Sequence, residues 1–127
     1  MEFVSTKNAP QPVGAYSQAV IAGDFMFISG QIPLTKEGET VERDIKKQAK
    51  TAIENVREIL KEKNLDLKNI VRFEIYLDDI NNFKEVDEVY AELMQNHRPA
   101  RQAMEVANLP KGARIEVSCI AWIGNSQ

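Results

Sequence analysis

Arg101 opens an extended segment, Pro99-Ala100-Arg101-Gln102-Ala103-Met104-Glu105-Val106, that runs through a Leu109-Pro110-Lys111-Gly112 turn into Arg114-Ile115-Glu116-Val117. A guanidinium offers a planar fork of donors that matches a carboxylate, and such a charge-assisted pair contributes about 1.5–3 kcal/mol. The segment reads as a hairpin whose return strand carries Glu116 back towards Arg101. Far upstream, Phe27-Ile28-Ser29-Gly30-Gln31-Ile32-Pro33 sets a Ser-Gly pair at the end of a strand, where a glycine lets another group come close to the backbone. A fixed cation, a facing acid and a Ser-Gly wall together suggest a pocket for a small anionic molecule.

Each of these residues also has a plainer reading. Arg101 suits a surface ion pair, Glu116 a solvated strand position, and Ser29-Gly30 a strand-end turn. Strand parity places Glu116 on the side of Arg114, Ser118, Ile120 and Trp122. A carboxylate beside bulky apolar groups has its pKa raised, which suits it to positioning water or moving a proton. Tyr16 fits a core or interface position equally well, and Glu105 is a weaker acid candidate than Glu116. Asp87 and Tyr90 fall on a helix and read as packing or interface residues.

Composition removes several other chemistries. The chain has one cysteine, Cys119, and one histidine, His97. That excludes an intrachain disulfide and a thiolate zinc cluster, and it leaves little for a Cys-His dyad, a serine triad or a histidine-rich metal site. Cys119 is expected to be a small buried apolar residue. A net charge of −3, from 16 basic and 19 acidic residues, argues against a nucleic-acid partner. Met1-Glu2-Phe3-Val4 is followed by polar residues rather than an apolar run, and no stretch is long enough to span a bilayer. A cytoplasmic location fits best. The 127 residues are expected to form one domain, 1–127.

The elements that must position these residues follow from periodicity. Ala19-Val20-Ile21 and Phe25-Met26-Phe27-Ile28 flank Gly23-Asp24, a hairpin signal. Ile45, Ala49, Ala52, Ile53, Val56, Ile59 and Leu60 recur at helical spacing and predict a helix from about Val41 to Lys63, ended by Asn64. Ile70 to Leu77 alternates as a strand, with Val71, Phe73, Ile75 and Leu77 on its apolar side. A second helix is predicted over Phe83 to Gln95, then strands over Ala100 to Val106 and Arg114 to Trp122. The order β-β-β-α-β-α-β-β predicts an α+β fold, a mixed sheet with two helices on one face. The other face is not clearly polar, which implies a partner.

In order and spacing, Asn8-Ala9-Pro10, Gly14-Ala15-Tyr16-Ser17-Gln18-Ala19, Ser29-Gly30-Gln31-Ile32-Pro33, the helix closing near Lys63-Asn64-Leu65, and the stretch from Pro99-Ala100-Arg101 to Glu116 resemble the reactive-intermediate deaminase family, the RidA or YjgF-like proteins. The likeness runs nearly end to end. It implies a chorismate-mutase-like sheet, assembled as a homotrimer with a site in each cleft between subunits. It further implies that Arg101 holds a substrate carboxylate, that Glu116 orients the hydrolytic water, and that Tyr16 lines the pocket. Ser29, Gly30 and the backbone at Ala103 would complete the binding wall.

The implied reaction is hydrolysis of 2-imino acids, or 2-aminoacrylate-type enamines, to 2-keto acids and ammonia, the activity of a 2-iminobutanoate/2-iminopropanoate deaminase. It calls for no metal or organic cofactor. Gln102-Ala103 stands where many members have Ser-Cys, Asp87 where many have Asn, and the segment from Tyr90 to Arg101 is shorter than in some. An iminium carbon is already electrophilic, so the reaction needs positioning and proton transfer rather than a thiol nucleophile. Two other readings stand beside it. One is a regulatory module that binds a keto or amino acid without turnover. The other, an endoribonuclease or translation inhibitor, sits poorly with the acidic balance and the lone His97.

Overall fold

The computed structural model describes residues 1–124. Helix α1, Ile45–Lys61, begins with its first apolar residue and later than the expected Val41, because Asp44 is extended (φ −107°, ψ 124°) and its side chain accepts from the Lys47 N–H. An N-cap of this kind defines where the helical turn can start. The helix stops before Asn64, whose φ of 60° turns the chain out of it. Two polar residues share its buried stripe and tie it to neighbouring segments. Gln48 Oε1 accepts from the Arg114 N–H at 2.9 Å, and Asn55 Nδ2 donates to the Leu34 carbonyl at 2.9 Å.

The strands are β1 (Glu2–Val4), β2 (Ala19–Ala22), β3 (Phe25–Gln31), β4 (Ile70–Leu77), β5 (Ala100–Glu105) and β6 (Ile115–Trp122), and the second helix, α2, is Phe83–Met94. They form one six-stranded sheet in the order β1-β2-β3-β6-β4-β5. Only β4 and β5 run parallel. Both helices cover one face, above a core that includes Ile53, Ile59, Phe73, Ile75 and Ile115, each fully buried. The fold is the expected α+β mixed sheet with two helices.

Two expectations are corrected. The segments carrying Arg101 and Glu116 are not a hairpin: β4 lies between β5 and β6. A parallel neighbour requires a crossover, and α2 supplies it between β4 and β5. After β5, the Val106 N–H bonds the Leu77 carbonyl, and a 3₁₀ turn at Pro110–Gly112 sends the chain back between β3 and β4. The second correction is Val71. The β4–β6 register shifts between Ile70 and Arg72, so Val71 is 40% exposed while Ile70, Phe73, Ile75 and Leu77 stay buried. An extra residue in one strand flips the alternation locally.

The helix-free face carries a row of in-register residues, Phe3, Val20, Phe27 and Ile120, which continues onto Arg72. Phe25 and Trp122 pair beside it. Phe3 is 70%, Phe27 45% and Trp122 39% exposed. A contiguous apolar patch of this kind marks an interaction surface on a folded protein. Among the described residues, no helix is long and apolar enough to cross a membrane.

Candidate active site

Glu116 projects from β6 into a pocket of about 570 Å³ lined by residues that include Pro10, Tyr16, Ser29, Gly30 and Lys111. Its carboxylate lies against the backbone of Gly30, where the β3–β6 register shifts between Ile28 and Gln31. A Cβ at Gly30 would collide with Glu116 Oε2 and come within 2.9 Å of its carboxyl carbon. The space that glycine opens is therefore taken by the protein's own acid. Burial raises the pKa of this carboxyl above the ordinary range.

The opposite wall is an N-terminal loop held by hydrogen bonds. Ser29 Oγ donates to the Ser17 carbonyl at 2.6 Å, and the Ser29 N–H donates to the Gln18 carbonyl at 2.9 Å. Gln18 is nearly fully buried. Its side chain accepts from the Thr6 N–H at 2.7 Å and donates to the Thr6 carbonyl at 3.1 Å and the Pro10 carbonyl at 2.9 Å. These bonds fix the loop that carries Tyr16, which remains 52% exposed at the pocket. Sequence reasoning missed Gln18 and Lys111 as parts of this site. A glutamine directly preceding an apolar strand was the available signal for Gln18.

Arg101 lies elsewhere. On β5 it is in register with Phe73 and, beyond that, Cys119, both buried beneath the helices. Glu116 is in register with Tyr76, one residue out of phase with that row, and so lies on the opposite face. Within one copy the structure therefore gathers Tyr16, Ser29, Gly30 and Glu116 but sets Arg101 and Ala103 apart on the outer strand. The expected meeting of Arg101 with Glu116 does not occur in a single chain. Because the Val106 N–H points to β4, alternation aims the backbone groups of Arg101 and Ala103 away from the sheet.

Asp87, read from sequence as a packing residue, instead accepts a bond from Arg101 Nη1 at 2.6 Å. The guanidinium carbon stands 4.7 Å from the centroid of the Tyr90 ring and 5.1 Å from that of Phe83. The remaining candidates for chemistry have structural duties. His97 Nε2 is 2.6 Å from the Ile70 carbonyl, and Cys119 is buried, which pushes its thiol pKa well up. No group of three potential metal ligands occurs among the described residues.

A half-buried acid whose proton affinity is raised can take a proton from water and return it to a leaving group. A carboxyl with a raised folded-state pKa binds protons more strongly in the folded chain. Stability from this group is then full below the ordinary carboxyl pKa of 4.5 and declines as pH rises towards the folded value. Glu116→Gln should flatten that decline, as urea denaturation across the acidic range will report. Gly30→Ala should displace the carboxylate at a cost of about 1 kcal/mol, the low end for an added methyl, because the Glu116 side chain can swing away. A crystal structure of that variant should show Glu116 moved, with the loop wall intact.

The family described as endoribonuclease L-PSP matches residues 6–123. A RutC family protein of Pyrococcus horikoshii is 46% identical over 122 residues, covering 95% of this chain and 97% of that protein. The 2-iminobutanoate/2-iminopropanoate deaminase of Rattus norvegicus is 44% identical over 124 residues, covering 97% of this chain and 90% of the rat protein. The crystal structure of E. coli TdcF with bound serine superposes with a TM-score of 0.93 at 31% identity, covering 98% of this chain and 100% of the other.

Proposed function

This chain belongs to the endoribonuclease L-PSP family, the YjgF/RidA proteins, and we propose that it hydrolyses 2-imino acids and their enamine tautomers to 2-keto acids and ammonia. The observation that carries this reading is the Glu116 carboxylate, half-buried over Gly30 in a pocket whose size suits a small acid. Similarity to the rat deaminase and to a serine-bound neighbour supports the substrate class.

In this mechanism the substrate carboxylate pairs with Arg101 and takes a hydrogen bond from the outward backbone at Ala103. Water held by Glu116 adds to C2 of the protonated imine, and Glu116 accepts one proton of that water, leaving a neutral carbinolamine. The carbinolamine then expels ammonia: Glu116 returns its proton to the nitrogen, the C2–N bond breaks, and the hydroxyl proton passes to the Glu116 carboxylate as the ketone forms, then leaves with ammonia as ammonium. Tyr16 faces the reacting end and orders the water. Ser29 and Gly30 form the wall behind it. Positioning provides most of the rate for such a step, since the carbon needs little activation.

Arg101 and Glu116 lie on opposite faces of one sheet, so the complete site joins the pocket of one copy to the β5 edge of another. A homotrimer with three such clefts is the assembly proposed, its interfaces covering the exposed aromatic row around Phe27 and Trp122.

Freshly generated 2-iminobutanoate should lose ammonia faster when the protein is added, and Arg101→Ala should lower kcat/KM roughly 10- to 100-fold, the loss of a charge-assisted pair. No acceleration by the wild-type chain would remove the deaminase reading. Pyruvate binding together with no acceleration of imine hydrolysis would favour the regulatory module instead. Copies carrying Arg101→Ala and copies carrying Glu116→Ala, each impaired alone, should recover part of the activity when refolded together. Absence of recovery in mixed assemblies would sink the shared cleft.

A further inference from the structure

We propose that Phe83, Asp87 and Tyr90 form a clamp that aims the Arg101 guanidinium, and that the Asp87 charge sets how tightly this guanidinium takes an external acid. This rests on Arg101 as the acid-holding group and deepens that reading. The three residues follow at spacings of four and three along α2, so they share one stripe of the helix. Because α2 is the crossover from β4 to β5, that stripe reaches the outer strand, where Arg101 sits.

The clamp is anchored in the core. Phe73 meets Tyr90 edge to face, with centroids 5.1 Å apart and planes at 88°, and both residues are buried. Tyr90 then offers a fixed ring for the guanidinium at 4.7 Å, and Phe83 offers a second at 5.1 Å. Ring faces attract cations electrostatically and shield them from water. The Arg101 side chain is only 26% exposed, although it leaves a strand at the edge of the sheet.

Asp87 uses Nη1 alone, at 2.6 Å. Four of the five guanidinium N–H donors have no part in that bond, so a fork remains for a second, bidentate carboxylate. The two acids would share one cation. Asp87 therefore acts in opposite senses: its oxygen orients the guanidinium, and its negative charge weakens the hold on a substrate anion. Asparagine at this position would keep an acceptor and remove the charge. Asp87 and the two rings are positioning residues, acting through Arg101.

The test is pyruvate titration by calorimetry, with 2-iminobutanoate kinetics, on the full chain and on Asp87→Asn, Asp87→Ala, Phe83→Leu and Arg101→Ala. Asp87→Asn should bind pyruvate about three- to fivefold tighter and lower KM in proportion, the effect of deleting one nearby like charge. Asp87→Ala loses the orienting oxygen as well, and its kcat/KM should fall about tenfold or more below that of Asp87→Asn. Phe83→Leu should raise KM while its melting temperature stays close to wild type. Asp87→Asn binding pyruvate no tighter than wild type would overturn the proposal, and so would identical kinetics for the two Asp87 variants. Should Asp87→Ala fail to fold, the wild-type and Asp87→Asn comparison still decides. If Arg101→Ala abolishes pyruvate binding while the Asp87 variants match wild type, the clamp falls and the deaminase reading stands. If Arg101→Ala binds pyruvate as wild type does, both fall.

Discussion

The Glu116 carboxylate rests on the bare backbone of Gly30, and much of the surrounding structure maintains that contact. β3 gives up its regular ladder between Ile28 and Gln31 to present Gly30 to β6. Ser29 and Gln18 then bind the returning N-terminal loop, so the wall opposite the acid is fixed by hydrogen bonds rather than by packing alone. Burying an acid without a charged partner raises the free energy of its ionised form. The fold tolerates that cost at Glu116, and burial is the cause of the raised pKa there.

Winding about β4 accounts for the other half of the proposed site. Because β4 and β5 are parallel, α2 must pass over the sheet between them, and one stripe of that helix meets the outer strand. Phe73, Tyr90 and Arg101 form a continuous stack from the core to the edge. An arginine on an edge strand is ordinarily free to sample solvent, losing rotamer entropy only when it binds. Here aromatic faces and Asp87 have already restricted it. The clamp and the outward backbone of β5 are two consequences of one crossover.

These two halves look away from each other within a chain, and the apolar row on the helix-free face gives copies a reason to associate. Phe3, Phe27 and Trp122 are too exposed, and too close together through their strand register, for a face that meets only water. In the proposed assembly the same association covers this surface and brings a guanidinium to a carboxylate.

Local pattern in the amino-acid chain determined the element order, the buried stripe of α1, the parity of β6 that sets Glu116 among Ser118, Ile120 and Trp122, and the family to which the chain belongs. Each depends on residues a few positions apart, where a helical or strand period leaves a direct trace. Tertiary structure alone decided that β6 enters between β3 and β4, that a shifted register turns Val71 outward, and that Asp87 grips Arg101. It also decided that Glu116 fills the space above Gly30. Those outcomes depend on which distant strands pair and where a helix crosses them, and such pairing free energies are spread over the whole sheet rather than written in any one segment.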